Sequence, residues 1–301
     1  MRILVIGGSG LLGSRVVLHA SSKSFRIMAT YNNNEPPSML TKLAVFQMLN
    51  VIEKTNVARL ITRIEPDVII DTHALHKVDY CEEHKDESWQ VNVVGTRNVV
   101  ETAKLVDAHM IYISTDYVFD GNKKSPYSEE DEPNPLNWYA KCKLEAEKIV
   151  LAADGTVLRT AIIYSWSPRS RFLNWILENL RARQSIKTFT DQWDNPTLAE
   201  NLAEAILAVA QNAARGTYHA TGSTCHSRYE MAVLTAKTFD LDESLITPII
   251  GEDLPQKAKR PHKPCLNVEK IKKDLAVRMI SFEEGLKYIK KKSMEEPTPS
   301  I

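Results

Sequence analysis

The chain has 301 residues, of which 43% are hydrophobic and 25% charged, so it is long enough for one large α/β unit or two ordinary domains. Its 38 Lys and Arg side chains balance 38 Asp and Glu side chains. This balance excludes the strong positive field that drives nucleic-acid binding. No apolar run is long enough for a signal-peptide core or a membrane span, so we expect a soluble protein with no membrane partner.

The cysteines Cys81, Cys142, Cys225 and Cys265 lie far apart in the sequence and form no C-x-x-C pair. This spacing argues against a zinc site and against a disulfide framework. We therefore expect no metal and a reducing, cytoplasmic compartment.

Short β-branched runs alternate with longer stretches of helical periodicity, which is typical of parallel βαβ units. The predicted strands are 3–6, 25–30, 45–48, 67–71, 110–114 and 156–158. The predicted helices between them are 11–20, 54–64, 88–106 and 139–153. Six strands with crossover helices predict an α/β fold of the Rossmann type, a doubly wound parallel sheet over residues 1–158.

Beyond Arg159 the alternation loosens, and residues 159–292 are expected to form a smaller C-terminal substrate-binding lobe. This lobe has predicted helices at 172–183, 198–212 and 227–239 and a proline-rich link at 248–264. Its boundary is soft, because chain segments can pass between the lobe and the sheet. Residues 293–301 are polar and contain prolines, which predicts a frayed tail.

A glycine-rich turn follows the first predicted strand directly and opens the first helix. Gly7, Gly10 and Gly13 recur every third residue. Glycines at such a place permit a tight turn and close approach to a pyrophosphate, while the helix N-terminus at Leu11 and Leu12 supplies N–H groups and positive dipole. The turn predicts a dinucleotide cofactor.

The end of the second predicted strand bears on the choice of cofactor. Thr30, Tyr31 and the three asparagines that follow include neither an acidic residue to bind ribose hydroxyls nor an arginine for a 2′-phosphate. The sequence therefore predicts NADP(H) or NAD(H), with a modest lean to NADP(H). A plain turn without cofactor contact is an equal alternative for the asparagine run.

A third group of residues has the pattern expected for carbonyl reduction. The predicted fifth strand carries Thr115 at its carboxyl end, the edge where ligands bind in open α/β sheets. Tyr139 and Lys143 are four residues apart and share one helical face. A neighbouring ammonium lowers the pKa of a tyrosine from its usual value near 10, which predicts proton transfer by Tyr139 and hydride transfer to a carbonyl.

Together these motifs resemble those of the extended short-chain dehydrogenases/reductases. The run S-T-D-Y-V-F-D-G at 114–121, followed by Pro126-Tyr127, Glu129, Pro133, Pro135 and Tyr139, is very similar to the dTDP-4-dehydrorhamnose reductase family. Further matching segments are 66–70, 78–82, Asn92, 191–192, 196–197 and 260–261, so the resemblance covers nearly the whole chain.

The resemblance implies a role for each matching residue. Thr115 would hydrogen-bond the substrate carbonyl, Tyr139 would donate the proton, and Lys143 would hold the nicotinamide ribose and lower the pKa of Tyr139. The substrate site would include Asp116, Tyr117 and Arg260, with the first two in the sugar pocket and Arg260 at the nucleotide diphosphate. The cofactor pocket would include Asn50, His73 and Ala74.

Some of these positions depart from the family pattern. Asn50 stands where the family usually has Asp, and Thr72-His73 replaces a pair of small residues. Cys265 and Asn267 replace Ser and Asp. These changes lie at the cofactor and nucleotide pockets, so they bear on the identity of the substrate more than on the type of reaction.

The resemblance implies NAD(P)H-dependent reduction of the 4-keto group of a nucleotide-linked deoxysugar, foremost dTDP-4-dehydro-L-rhamnose. Two alternatives stay open. One is a sugar-nucleotide epimerase or dehydratase that recycles its nicotinamide, although the run at 116–121 speaks against it. The other is a non-catalytic regulatory subunit, since the family resembles the β subunit of methionine adenosyltransferase. The expected partner is a nucleotide sugar, and a homodimer is possible.

Overall fold

A computed structural model describes residues 1–23, 25–254 and 256–296. The strands are β1 (Arg2–Ile6), β2 (Arg26–Tyr31), β3 (Val45–Met48), β4 (Val68–Asp71), β5 (His109–Thr115), β6 (Thr156–Thr160), β7 (Ile163–Tyr164), β8 (Ile186–Phe189), β9 (Trp193–Asp194), β10 (Thr197–Leu198), β11 (Gly216–His219), β12 (His226–Ser227) and β13 (Ile246–Ile249). The helices are α1 (Leu11–Ser21), α2 (Ser38–Thr41), α3 (Lys54–Ile64), α4 (Val78–Glu83), α5 (Lys85–Trp89), α6 (Gly95–Leu105), α7 (Trp138–Leu151), α8 (Arg171–Arg181), α9 (Ala199–Asn212), α10 (Arg228–Thr238), α11 (Glu269–Leu275) and α12 (Phe282–Glu295).

The central sheet is parallel and has helices on both faces. Over the described ranges it contains seven strands in the order β11-β6-β5-β4-β1-β2-β3. The strand order reverses between β1 and β4, and ligands of open α/β sheets bind at the carboxyl edge beside such a switch point. The predicted Rossmann-type α/β fold is confirmed, and the glycine turn after β1 lies at the switch point.

The prediction of six strands was one strand short. β11 pairs with β6 from Gly216 opposite Thr156 to His219 opposite Arg159. The helix before it, α9, packs on α1 and buries Leu202 in the core. The segment G-T-Y-H is too short and polar for its periodicity to predict a strand. Residues 199–219 therefore return to the sheet, and the two-lobe division stays a prediction.

Within the described residues, the C-terminal part of the chain contains three short strand pairs and the helices α8, α10 and α12. The pairs are β7 with β10, β8 with β13, and β9 with β12. Ser293, where the frayed tail was predicted to begin, still belongs to α12, and residues 297–301 of that tail lie outside the described residues. Among the described helices, none combines the length and the apolar character needed to cross a membrane.

The prediction against disulfides was wrong at one position. Cys225 and Cys265 form a disulfide with their Cα atoms 5.9 Å apart. Forty residues separate them in the sequence, so only the tertiary structure brings them together. Cys81 and Cys142 are buried free thiols. The cytoplasmic compartment, which was inferred partly from the cysteine spacing, stays a prediction.

Candidate active site

Backbone contacts hold the glycine turn closed and leave no room for a side chain at Gly13. Gly7 has φ +78° and its carbonyl oxygen accepts a hydrogen bond from Gly10 N at 2.9 Å. A Cβ atom on Gly13 would collide with that carbonyl oxygen and lie 2.7 Å from the Cα atom of Gly8. The turn therefore needs glycine here, and it lets the N-terminus of α1 at Leu11 approach an anionic ligand.

The end of β2 supports the glycine turn. Thr30 is 1% exposed and its hydroxyl accepts a hydrogen bond from Gly7 N at 3.3 Å. Tyr31 is half-buried, and residues 32–34 are exposed. Asn50 accepts a hydrogen bond from Ile52 N at 3.3 Å in the turn before α3. Thr30 thus lies beneath the turn, while the side chains that reach solvent at this edge belong to the asparagine run.

The His73 side chain connects the end of β4 with the helical segment that follows α5 through its two ring nitrogens. Its Nδ1 contacts the carboxylate of Asp71, and its Nε2 lies 3.0 Å from the carbonyl oxygen of Val91, within a π-helical turn at Gln90–Val94. Burial lowers the pKa of His73, but the Asp71 carboxylate and the Val91 carbonyl together outweigh burial, so the pKa is raised. Ala74 follows directly and is half-buried.

Lys143 is buried in α7 with its ammonium group against β5. Its Nζ donates a hydrogen bond to the carbonyl oxygen of Ile113 at 2.6 Å and lies 3.9 Å from the centre of the Tyr112 ring. Burial lowers the pKa of Lys143 to about 8, while the carboxylates of Asp71 and Glu147 work in the opposite direction. Near neutral pH the group is thus a buried cation.

Tyr139 and Thr115 meet at the carboxyl edge of β5. Asn137 caps α7 by accepting a hydrogen bond from Ala140 N at 2.9 Å, which fixes Tyr139 in the first helical turn. Burial and then the Asp116 carboxylate raise the pKa of Tyr139, and a hydrogen bond with the Thr115 side chain opposes them. The predicted lowering of this pKa by Lys143 is not observed, because burial dominates.

Asp116 and Tyr117 follow Thr115 in a short 3₁₀ turn. The Thr115 hydroxyl donates to Asp116 Oδ1 at 3.1 Å and accepts from Tyr117 N at 3.2 Å. Asp116 is 3% exposed, and burial, with a neighbouring carboxyl at Asp194, raises its pKa well above the usual range. Tyr117 lines the adjacent cleft, so this turn connects the proton-transfer residues to the cleft.

The cleft beside these residues has a volume of about 560 Å³. Its lining is rich in basic and aromatic side chains: Lys77, Arg171, Lys187, Arg228 and Arg260, with Tyr80, Tyr117, Phe172, Trp175 and Phe189. Arg260 is held by a two-pronged ion pair with Asp79, at 2.6 and 2.8 Å, and this guanidinium lowers the pKa of Asp79. Such a lining suits a phosphate-bearing ligand with a flat ring.

Sequence reasoning missed Asp194 and Arg228, and it did not give Asp79 a role. Arg228 lines the cleft and pairs with Asp194 at 3.0 Å. Neither lies in a motif, and both come from the C-terminal part of the chain, where periodicity is weak. Asp79 lies within a segment that carried the family resemblance, but its partner Arg260 is 181 residues away.

The family model described as RmlD substrate binding domain matches residues 1–294. A dTDP-4-dehydrorhamnose reductase from Clostridium acetobutylicum superposes with a TM-score of 0.88 at 28% identity, covering 98% of this chain and 100% of that one. Another from Bacillus anthracis str. Ames, in complex with NADP, has a TM-score of 0.87 at 26% identity, covering 97% and 99%. Methionine adenosyltransferase 2 subunit beta of Bos taurus is 31% identical over 273 residues, 86% of this chain and 79% of that protein.

A hydroxyl residue at a strand end, with a tyrosine and a lysine on the helix that packs against this strand and a glycine turn at the switch point, defines the class of NAD(P)H-dependent oxidoreductases. The match over nearly the whole length is more specific: the chain belongs to the RmlD substrate-binding-domain family. The predicted family, oxidoreductase class and nicotinamide cofactor are thereby confirmed. The roles of the individual site residues stay predictions.

Proposed function

We propose that the protein reduces the 4-keto group of a nucleotide-linked deoxysugar, with dTDP-4-dehydro-L-rhamnose as the leading substrate and dTDP-L-rhamnose as the product. The observation that carries this proposal is the packing of α7, which bears Tyr139 and Lys143, against β5, which ends at Thr115, next to the basic, aromatic cleft. Tyr139 is protonated near neutral pH, as a proton donor must be. The cleft supplies the guanidinium and ammonium groups that a diphosphate requires.

The residues at the switch point fit a nicotinamide dinucleotide. Gly13 has no side chain, and a Cβ atom there would collide with the backbone of Gly7 and Gly8. This close packing leaves the N-terminus of α1 open to a pyrophosphate. Lys143 would hold the nicotinamide ribose. When bound, the cofactor supplies hydride to C4 of the sugar.

Thr115 and Tyr139 would bind and protonate the oxygen at C4 of the sugar. Thr115 would hold this oxygen by a hydrogen bond, and Tyr139 would pass its phenolic proton to it as negative charge develops. Arg260, oriented by Asp79, would bind the diphosphate and so place the sugar ring over the edge of β5. Binding energy from the nucleotide thereby orients the keto group.

For the cofactor we propose a modest preference for NADPH over NADH. No carboxylate at residues 30–34 repels a 2′-phosphate, while the exposed asparagines at 32–34 can donate hydrogen bonds to it. No arginine there strengthens the interaction. The ratio of kcat/KM values for the two cofactors should lie within about one to two decades, and steady-state kinetics with each cofactor measures it.

A second candidate function is a regulatory subunit, favoured by the 31% identity to the methionine adenosyltransferase β subunit. A protein of that kind can keep a dinucleotide site without turnover. A single assay distinguishes the two candidate functions. NADPH oxidation is followed spectroscopically in the presence of a nucleotide-linked 4-keto-6-deoxyhexose. Net oxidation supports the reductase. If NADPH binds but is not oxidised, and a synthetase co-purifies, the regulatory function is supported.

We also propose that the protein works in the cytoplasm, has a nucleotide sugar as its principal partner and forms a homodimer. Cell fractionation tests the first statement. Light scattering at several protein concentrations tests the last.

A further inference from the structure

The helix α7, which bears Tyr139 and Lys143, is attached to the sheet by a buried ion pair. Glu147 on α7 and Arg159 on β6 are 1% and 4% exposed. Arg159 Nη2 donates to Glu147 Oε2 at 2.7 Å, and Arg159 Nε lies 3.1 and 3.2 Å from the two carboxylate oxygens. A guanidinium that bonds both oxygens of a carboxylate fixes direction as well as distance.

α7 has a second polar attachment to the sheet one helical turn earlier. Lys143 Nζ donates to the carbonyl oxygen of Ile113 on β5 at 2.6 Å. Arg159, the partner of Glu147, lies opposite Ser114 in the parallel register of β5 and β6. Because residues four apart share one face of a helix, both attachments restrain the same face of α7. They reach neighbouring strands near the carboxyl edge of the sheet.

The apolar contacts of α7 are less specific than these bonds. Its other buried residues are mostly small: Ala140, Cys142, Ala146 and Val150. Small side chains form shallow ridges, which interlock with a neighbouring surface less than large side chains do. The two polar attachments therefore contribute much of what fixes α7 along its axis and about it.

Arg159 also contacts the segment that follows β5. Its guanidinium carbon lies 5.0 Å from the centre of the Phe119 ring. Phe119 ends the 3₁₀ turn at Asp116–Val118, and its N donates to the Asp116 carbonyl oxygen at 3.0 Å. Arg159 thus touches both α7 and the turn that leads from β5 to the cleft. Within the described part of the chain, neither Glu147 nor Arg159 lines the cleft itself.

We propose that the Glu147–Arg159 ion pair positions α7 for proton transfer, so that the Tyr139 hydroxyl reaches the sugar oxygen. The proposal rests on the proposed function, because it concerns the roles given there to Tyr139 and Lys143. Glu147 and Arg159 are positioning residues, which act through α7 and not by contact with the substrate. Without the pair α7 can shift, and a displacement of about 1 Å at the reacting atoms can lower a rate about a hundredfold.

The double variant Glu147→Met/Arg159→Met tests the pair. Two methionines leave no buried charge without a partner, so the loss of stability should be small, but they form no directional bonds. In the folded variant we expect kcat to fall about ten- to hundredfold and the dissociation constant for NADPH to rise, because Tyr139 and Lys143 both move with α7. The dissociation constant for thymidine diphosphate, which probes the cleft, should stay unchanged.

Glu145→Met/Lys148→Met is the matched control, because these two residues form an ion pair at 3.2 Å within α7 and do not attach it to the sheet. This variant should keep the kcat and both dissociation constants of the wild type. A pair that only stabilised the fold would likewise leave kcat unchanged in a folded Glu147→Met/Arg159→Met protein, and that result would refute the positioning role.

Glu147→Gln gives the same test if the double variant does not fold. Its amide oxygen still accepts from Arg159, while its amide nitrogen cannot, so one arm of the fork is lost. We expect a smaller fall in kcat, again with unchanged binding of thymidine diphosphate. The kcat of the wild type in Glu147→Gln would refute the proposal.

Hydrogen exchange without substrate separates this proposal from the proposed function. The amides of residues 139–147 should exchange about tenfold faster in the folded methionine double variant, or in Glu147→Gln if that variant is used, than in the wild type, while those of β1 keep their rates. Unchanged exchange in α7 overturns the proposal even in an active enzyme. If exchange in α7 is faster but the wild type reduces no keto-sugar nucleotide, the proposed function fails. The positioning of proton transfer then falls with it, while the attachment of α7 by Glu147 and Arg159 stands.

Discussion

Tyr139 lies in the first turn of α7, beside Thr115 and Asp116. Its pKa is raised, so the phenol is protonated near neutral pH and has a proton to give to a developing alkoxide.

Removing the phenolic hydroxyl should stop turnover without disturbing binding. For Tyr139→Phe we expect kcat to fall by roughly two to four decades, the usual effect of deleting a positioned proton donor. The dissociation constant for NADPH should change little, and fluorescence titration measures it. Tyr288→Phe is the control, since Tyr288 is 41% exposed on α12. Full turnover in Tyr139→Phe would rule out Tyr139 as the acid.

Lys143 should make cofactor binding depend on pH. Burial lowers its pKa to about 8, so the ammonium group is present below that pH and is lost as the pH rises through it. We expect Lys143→Met to weaken NADPH binding by about tenfold or more near pH 7, whereas above pH 9 the wild type should approach the variant. Lys141→Met, an exposed lysine on the same helix, should bind normally. Equal affinities for both variants at pH 7 would contradict the assignment of Lys143 to the ribose.

Among the elements, the junction of β1 and α1 is where two substitutions at Gly10 test cofactor binding. A Cβ atom on Gly10 would lie 3.2 Å from the Gly7 carbonyl oxygen, a close contact that small shifts relieve. Gly10→Ala should therefore fold and bind NADPH. Gly10→Glu should fold but lose cofactor binding, because its carboxylate would face the pyrophosphate. Affinity and thermal melting are measured together. If a folded Gly10→Glu variant keeps its affinity, the cofactor does not bind at this turn.

The sequence predicts a strand or helix well where the apolar periodicity and the turn residues that specify it lie within one short segment. The first six sheet strands and the helix that carries Tyr139 and Lys143 are recognisable because apolar periodicity and turn residues are local. The strand at Gly216–His219 is not, because four half-polar residues form a strand only through pairing with β6. Asp194 and Arg228 have no local signal either, since their position depends on how the C-terminal part folds over the sheet. The same is true of the disulfide at Cys225.

For the whole molecule, buried neutral histidines should limit stability in acid. Burial lowers the pKa of His109 to about 4, and its Nε2 lies 2.8 Å from the hydroxyl of Thr156. Because the unfolded histidine binds a proton below about pH 6.5 and the folded one does not, stability falls as the pH drops from 6.5 to 4. The loss from this residue is at most about 3 kcal/mol.

Urea denaturation between pH 7 and pH 4 measures this effect. His109→Gln keeps a hydrogen-bonding amide beside Thr156 and cannot titrate, so its stability should fall less steeply than that of the wild type. His84→Gln, at an exposed histidine, should leave the slope unchanged. Identical slopes for all three proteins would show that His109 does not couple folding to pH.

The most direct measurement follows the hydride. The wild type is incubated with NADPH deuterated at C4 of the nicotinamide and a nucleotide-linked 4-keto-6-deoxyhexose, and the sugar product is examined by mass spectrometry and proton NMR. The account predicts one deuterium at C4 of the sugar, with one NADPH consumed for each product molecule. A sugar altered without net loss of NADPH, as an epimerase would produce, or bound NADPH without any change in the sugar, would contradict it.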